Sequence, residues 1–111
     1  MSFFSTAPAH EDLVPAAVEP LRGKARIIDV REPEEFVGDL GHIPEAELVP
    51  LGRLGVAARA WPKDAELIMV CRSGARSGRA AAELARAGFT RVHNMLGGMM
   101  RWRHEGRAVA R

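Results

Sequence analysis

The stretch Leu67-Ile68-Met69-Val70-Cys71-Arg72-Ser73-Gly74-Ala75-Arg76-Ser77 decides the fold of this 111-residue chain. Its first four residues form an unbroken apolar run, which predicts a strand buried on both faces, as in parallel sheets. Residues 74–87 carry Ala80, Leu84 and Ala87 at helical spacing and therefore predict a helix. Strand, tight loop and helix follow one another, so the single cysteine of the chain lies at the carboxyl end of the strand.

Short strands and helices alternate on both sides of this unit. Strands are predicted at 26–30, 47–49 and 91–93, and helices at 51–60 and 99–105, with a weakly helical segment at 11–19. Pro33 suits the first position of a further helix at 31–36. This alternation predicts an α/β fold with a mainly parallel sheet, in which active sites lie outside the carboxyl ends of the strands.

The composition is that of a globular domain, with 47% hydrophobic and 27% charged residues. A net charge of +2 is too small to indicate nucleic-acid binding, and the basic cluster of Arg101, Arg103, Arg107 and Arg111 is typical of a solvated surface. No apolar stretch approaches the roughly 20 residues that span a membrane, and residues 1–6 lack the pattern of a signal peptide, so a cytoplasmic protein is expected. One cysteine and scattered histidines favour neither a metal site nor a cofactor.

The loop that begins at Cys71 is predicted to stabilise a thiolate. Its backbone N–H groups can form a nest around the sulfur, and the positive end of the following helix adds to it. Arg72 and Arg76 bring positive charge, Ser73 and Ser77 can donate hydrogen bonds, and Gly74 permits a positive φ. Such a ring of donors would also bind an anionic substrate or a charged sulfur adduct.

Two other interpretations of Cys71 stay open at this point. A lone cysteine that ends an apolar strand is often an inert core residue, although the arginines and serines beside it favour a loop that faces solvent. A Cys–His dyad is another way to activate a thiol. The candidate histidines, all remote in sequence, are His10, His42, His93 and His104.

Three segments together resemble the signatures of rhodanese-like domains. Residues 28–36 and 41–46 are similar to the family's first signature, residues 71–77 to its active-site loop, and residues 96–99 with Trp102 to its closing signature. The resemblance covers residues 12–105, which are expected to form one domain between an entry segment, 1–11, and a short basic tail, 106–111. It implies three layers, with a mainly parallel central sheet of about five short strands flanked by helices.

The resemblance implies a single-domain sulfurtransferase of the thiosulfate:cyanide type. Cys71 would take sulfur from a sulfane donor such as thiosulfate, become a persulfide, and pass the outer sulfur to cyanide or to a thiol, including a thiol of an acceptor protein. Arg72 and Arg76 are expected to steer and clamp the donor, with Arg76 facing solvent, while Asp29 and Arg31 mainly support the site, with Arg31 also lining it. The implied substrate-binding residues are Arg72, Ser73, Gly74, Ala75, Arg76 and Ser77.

Two further functions are compatible with these motifs. Rhodanese-like domains also serve as non-enzymatic sulfur carriers or regulatory modules. A phosphatase or arsenate reductase would use a thiolate loop of the same kind to bind an oxyanion. Cys71 and Arg76 are separated by four residues, whereas the phosphatase pattern has five, so the loop length favours sulfur transfer.

Overall fold

A computed structural model describes residues 9–111, so residues 1–8 of the predicted entry segment lie outside the described residues. The fold is built on one sheet of five parallel strands in the order β1-β5-β4-β2-β3. This confirms the α/β class and the parallel sheet. The strands are β1 Glu11–Leu13, β2 Arg26–Asp29, β3 Ala46–Leu48, β4 Glu66–Val70 and β5 Arg91–Met95.

Helices connect the strands in the order that the sequence predicts. The long helix α4 follows β4 directly, as expected from residues 74–87, and Pro33 occupies the first turn of α2. The predicted helix at 51–60 is divided into a short α-helix between two 3₁₀ turns, Leu51–Arg53 and Ala58–Ala60. The helices are α1 Pro15–Val18, α2 Pro33–Phe36, α3 Leu54–Ala57, α4 Ala75–Arg86 and α5 Gly98–His104, and a further 3₁₀ turn spans Glu19–Leu21.

The first strand is an exception to the sequence prediction. Residues 11–13 lie in the segment predicted to be weakly helical, yet they form β1 at the edge of the sheet. Their register against β5 places Asp12 beside Asn94 and Leu13 beside Met95. Two of the three residues of β1 are charged, so the local pattern does not indicate a strand, and pairing with β5 determines the conformation.

The sheet is covered on both faces, which confirms three layers. Leu67, Met69 and Cys71 pack in the cluster on the α3 and α4 side, whereas Ile68 and Val70 pack on the other side, with Val18 of α1 and Trp102 of α5. Both sets are buried, as the apolar run of β4 predicts. Cys71 continues this alternation, so its side chain lies under the start of α4.

Helix α4 packs through a wider face than the sequence indicates. Ala80 and Leu84 are buried as predicted, but Ala87 is exposed, because the helix ends at Arg86 and the chain turns away at Gly88, where φ is +104°. The buried face of α4 consists of Ser77, Ala80, Ala81, Leu84 and Ala85. A serine on this face, Ser77 in the first turn of α4, contacts the Cys71 sulfur.

The carboxyl-terminal residues pack against the sheet-helix body. His42 and Ala110 exchange two backbone hydrogen bonds of 2.8 and 2.9 Å, and the Trp102 indole donates to the Ala108 carbonyl at 2.9 Å. In the basic cluster, Arg101 and Arg107 bind Glu105. Among the helices of residues 9–111, none is long and apolar enough to cross a membrane.

Candidate active site

The Cys71 thiol lies at the floor of the loop that joins β4 to α4. The Gly74 N–H donates to its Sγ at 3.1 Å, and the Ser77 N–H and hydroxyl oxygen lie 3.4 and 3.3 Å from the same sulfur. The residue is only 1% exposed, whereas Arg72, Ser73 and Ala75 around it are exposed. The loop therefore faces solvent as expected, but the sulfur is set below its surface.

Glycine at position 74 makes this curvature possible. Gly74 precedes the first residue of α4 with φ of +101°, in the left-handed region that disfavours other residues. A Cβ there would also lie 3.3 Å from the Gly97 nitrogen and 3.4 Å from the Met95 carbonyl oxygen. The conformation directs the N–H groups at the helix start towards the sulfur, where the positive end of the helix dipole also lies.

Hydrogen bonding makes the thiolate more favourable than burial alone would allow. Burial by itself raises the pKa of Cys71, but the hydrogen bond from the Ser77 hydroxyl and those from the backbone N–H groups of Ser77, Gly74 and Ser73 act against it. The net result is a pKa below the ordinary value of a cysteine thiol. The arrangement therefore suits a nucleophilic sulfur.

The sequence predicts a solvent-facing Arg76, and in the structure its side chain is 32% exposed and ion-paired. Its guanidinium makes two hydrogen bonds of 2.8 Å to the carboxylate of Glu35 on α2. The sequence does not show this pairing, because Glu35, 41 residues away in sequence, reaches the loop only in the tertiary structure. Arg72 is the exposed arginine of the loop, and no ion pair involves it within residues 9–111.

A shallow hollow of about 290 Å³ opens beside Arg72. Three acidic residues, Glu34, Glu35 and Asp39, line it together with Arg31. Of residues 71–77, only Arg72 lines the hollow.

Asp29 and Arg31 form a buried ion pair at the tip of β2. Arg31 is 1% exposed and Asp29 is fully buried, and the Arg31 Nη2 to Asp29 Oδ2 distance is 2.8 Å. Arg31 also donates to the carbonyls of Gly41 at 2.7 Å and Glu35 at 3.1 Å. The pair thus ties β2 to α2 and to the loop before β3, consistent with the supporting role that the resemblance implies.

The turn at Gly97 and Gly98 packs against the backbone of the loop that begins at Cys71. The Met99 N–H donates to the Cys71 carbonyl at 2.9 Å, and the Met100 N–H donates to the Arg72 carbonyl at 3.0 Å. The approach is so close that a Cβ on Gly98 would lie 2.4 Å from the Arg72 carbonyl oxygen. The sequence identifies these glycines as a turn but does not show that the turn contacts the loop.

Asn94 is a site residue that the sequence analysis misses. It is 4% exposed on β5, and its Oδ1 accepts a hydrogen bond of 2.6 Å from the Ser77 hydroxyl. Its Nδ2 lies 3.3 Å from Asp12 Oδ1 and 3.4 Å from the Gly74 carbonyl oxygen. The signal that could have found it is a polar amide directly after the strand predicted at 91–93.

Within residues 9–111, no histidine is hydrogen-bonded to the thiol. His42 binds the Phe36 carbonyl and stacks on the Phe36 ring, while His93 binds Glu66. No group of three or more His, Cys, Asp or Glu side chains in this part of the chain is arranged to hold a metal ion. The groups that donate to the thiol in this part of the chain come from Gly74 and Ser77, not from a histidine.

Comparison with known proteins agrees with this architecture. The family model for the rhodanese-like domain matches residues 15–105. A crystal structure of a rhodanese-related protein from Thermoplasma volcanium superposes with a TM-score of 0.82 at 25% identity, covering 91% of this chain and 98% of that one.

Curated relatives match most of the chain. It is 38% identical to a protein named sulfurtransferase from Allochromatium vinosum, over 72% of this chain and 73% of that protein. It is 33% identical to the thiosulfate sulfurtransferase GlpE of Pseudomonas aeruginosa, over 82% of each. An uncharacterized protein of Bacillus subtilis, YqhL, is 42% identical over 71% of this chain, which spans 61% of that longer relative.

Proposed function

Since the chain belongs to the family of rhodanese-like domains, we propose that it is a single-domain sulfurtransferase in which Cys71 carries the transferred sulfur. The observation that carries the proposal is the ring of donors around Sγ, formed by the Gly74 N–H, the Ser77 N–H and the Ser77 hydroxyl. The names of two relatives, a sulfurtransferase and a thiosulfate sulfurtransferase, support the same reaction class.

The first half-reaction charges the cysteine. The Cys71 thiolate attacks the outer sulfur of thiosulfate, a new S–S bond forms, and the original S–S bond breaks. Sulfite departs with the electron pair of that bond, which leaves a persulfide anion on Cys71. The N–H groups that face the thiolate are preorganised for negative charge and lower the cost of holding an anion below the surface of the loop.

The second half-reaction discharges the cysteine. Cyanide or a thiolate attacks the outer sulfur, and the S–S bond to Sγ breaks. Sγ leaves as a thiolate, and the product is thiocyanate or a new persulfide. The same donors that favour the Cys71 thiolate stabilise this leaving group, and the acceptor thiol belongs to a small molecule or to a protein.

Arg72 is suited to recruiting an anionic donor. Its exposed guanidinium stands at the mouth of the loop, beside the hollow of about 290 Å³. Arg76 is ion-paired with Glu35. We therefore assign Arg76 to stabilising the conformation of the loop and Arg72 to binding the thiosulfate dianion. Because Cys71 is 1% exposed, a small donor with a projecting terminal sulfur, such as thiosulfate, reaches Sγ more readily than a bulky one.

Intact mass measurement after incubation with thiosulfate tests this proposal. The expected result is an increase of one sulfur atom, about 32 Da, that is absent from the Cys71→Ser variant and is removed by cyanide with release of thiocyanate. A persulfide that cyanide and small thiols do not discharge would favour the sulfur-carrier function. If no sulfane donor produces the adduct, the domain acts as a binding module instead.

A further inference from the structure

The Ser77 hydroxyl has one hydrogen and two acceptors within reach. Its oxygen lies 2.6 Å from Asn94 Oδ1 and 3.3 Å from Cys71 Sγ. A hydroxyl donates one hydrogen bond, so it serves either the amide or the sulfur at a given moment. Ser77 is fully buried and Asn94 is 4% exposed, so bulk water does not supply the missing partner.

The orientation of the Asn94 amide is determined by its other neighbours. Nδ2 faces the Asp12 carboxylate at 3.3 Å and the Gly74 carbonyl at 3.4 Å, and these oxygens act as acceptors. Turning the amide by half a rotation would place Oδ1 against both of them, at the cost of two hydrogen bonds. Oδ1 therefore keeps facing Ser77.

We propose that Asn94 is a positioning residue that makes the Ser77 hydroxyl a two-position switch responding to the charge on Cys71 Sγ. The hydroxyl points to Asn94 while Sγ is a thiol or the inner sulfur of a persulfide, and it rotates to Sγ when Sγ becomes a thiolate. No covalent bond changes in this step, and no proton leaves Ser77. The persulfide state rests on the proposed function, whereas the thiol and thiolate states need only the geometry.

The switch changes the equilibrium between the Cys71 thiol and the Cys71 thiolate. When the hydroxyl rotates to Sγ, Asn94 Oδ1 faces an oxygen lone pair at 2.6 Å without a hydrogen between them. That contact is unfavourable, so the Asn94 carbonyl disfavours the thiolate and favours the two states in which Sγ carries no charge. In sulfur transfer, the hydroxyl becomes available to Sγ when Sγ starts to leave as an anion.

A substitution at position 94 leaves the charges around the thiol in place. The segment of α5 that contacts the loop contributes backbone N–H groups, and His93, the neighbour of Asn94 on β5, is bound to Glu66. The charged groups of the loop, the tip of β2, α2 and β1 are Arg72, Arg76, Asp29, Arg31, Glu34, Glu35, Glu11 and Asp12.

Titration of the thiolate ultraviolet absorbance without any sulfur donor tests the switch. Asn94→Leu removes the acceptor at similar volume and should lower the pKa of Cys71, so that the thiolate-to-thiol ratio at a fixed pH rises about three- to tenfold. Ser77→Ala should raise that pKa. In the Ser77→Ala background, Asn94→Leu should not change the pKa of Cys71, because no hydroxyl remains to which Asn94 could bind.

The double variant distinguishes the switch from a structural effect. If Asn94 only shaped the loop, its substitution would change the pKa of Cys71 equally with and without the Ser77 hydroxyl. Asn94→Ala gives the same test should the leucine variant fail to fold, and circular dichroism verifies each variant. An unchanged or raised pKa in the position-94 variant, or an equal drop in the Ser77→Ala background, overturns the proposal. A protein that titrates as expected but transfers no sulfur would refute the proposed function alone.

Discussion

The carboxylate of Glu35 binds both terminal guanidinium nitrogens of Arg76, with two N–O distances of 2.8 Å. Glu35 Oε1 also accepts the Glu32 N–H at 3.1 Å, at the start of α2. Arg76 is the second residue of α4. The pair therefore joins the first turn of α2 to the helix start that surrounds the Cys71 sulfur, and Arg72 is the exposed arginine of the loop.

The first prediction concerns the stability supplied by this pair. The hydrogen bonds from Arg76 are the main cause that lowers the pKa of Glu35 from 4.5 to about 2. Since the folded pKa is the lower one, the unfolded chain takes up protons first, and the contribution is complete above about pH 4.5 and is lost towards pH 2. Glu35→Gln should cost on the order of 1 kcal/mol at neutral pH, because both side chains are about 30% exposed.

Urea unfolding of Glu35→Gln and the unmodified protein from about pH 7 to about pH 3 measures this difference. The two stability curves should converge as the pH falls. A constant difference over the whole range would show that Glu35 acts through its shape rather than its charge.

Arg72 is expected to affect the approach of an anionic donor rather than folding. Arg72→Ala should slow persulfide formation from thiosulfate about tenfold at low salt, since it removes the exposed cation at the mouth of the loop. The difference should shrink at high salt, and alkylation by neutral iodoacetamide should change much less. Arg79, an exposed arginine on α4, is the matched control, and an equal effect of Arg79→Ala would mean that overall charge, not position, matters.

Gly98→Ala should damage the active-site loop, and Gly106→Ala is its control. Both glycines have positive φ, +56° and +74°, so both variants incur the left-handed penalty of about 1–2 kcal/mol. A Cβ at Gly98 would also lie 2.4 Å from the Arg72 carbonyl oxygen, whereas a Cβ at Gly106 meets nothing within 4 Å. Thermal unfolding and Cys71 alkylation should therefore change more in Gly98→Ala, and equal losses in the two variants would contradict the close approach.

Removing one partner of the Asp29–Arg31 pair should lower the free energy of unfolding more than replacing both partners with apolar residues. Arg31→Met leaves Asp29 buried without its cation, with an expected loss of about 3–5 kcal/mol. In the double variant Asp29→Leu/Arg31→Met no buried charge remains, so its loss should be smaller than the sum of the two single losses. Urea unfolding of the three variants measures the coupling, and strictly additive losses would mean that the two side chains stabilise the fold independently.

The length of the loop predicts a lack of phosphatase activity. Four residues separate Cys71 from Arg76, and the two N–H groups of the nest converge on a single sulfur atom at 3.1 and 3.4 Å. A tetrahedral phosphate needs a wider ring of donors. An aryl phosphate should therefore not be hydrolysed in a Cys71-dependent manner, and hydrolysis that Cys71→Ser abolishes would contradict this size argument.

Patterns within single elements predicted the central strand, the helix after it and the class of fold. The apolar run before Cys71 indicated a strand buried on both faces, and Gly74 indicated a positive φ, because these features depend on local chemistry. The edge strand Glu11–Leu13 could not be found in this way. Its residues have no strand pattern of their own, and their conformation is determined by backbone pairing with β5, about 80 positions further along the chain.

The sequence by itself determined the position of the single thiol and the loop that surrounds it, since both lie within residues 71–77. Only the tertiary structure decided how that loop is held. Glu35 neutralises Arg76, Gly98 brings α5 against the Cys71 and Arg72 carbonyls, and Asn94 competes for the Ser77 hydroxyl. Each of these residues comes from a different element. These contacts join residues that are far apart in sequence, and the packing of the parallel sheet and its helices, rather than any local spacing, brings them together.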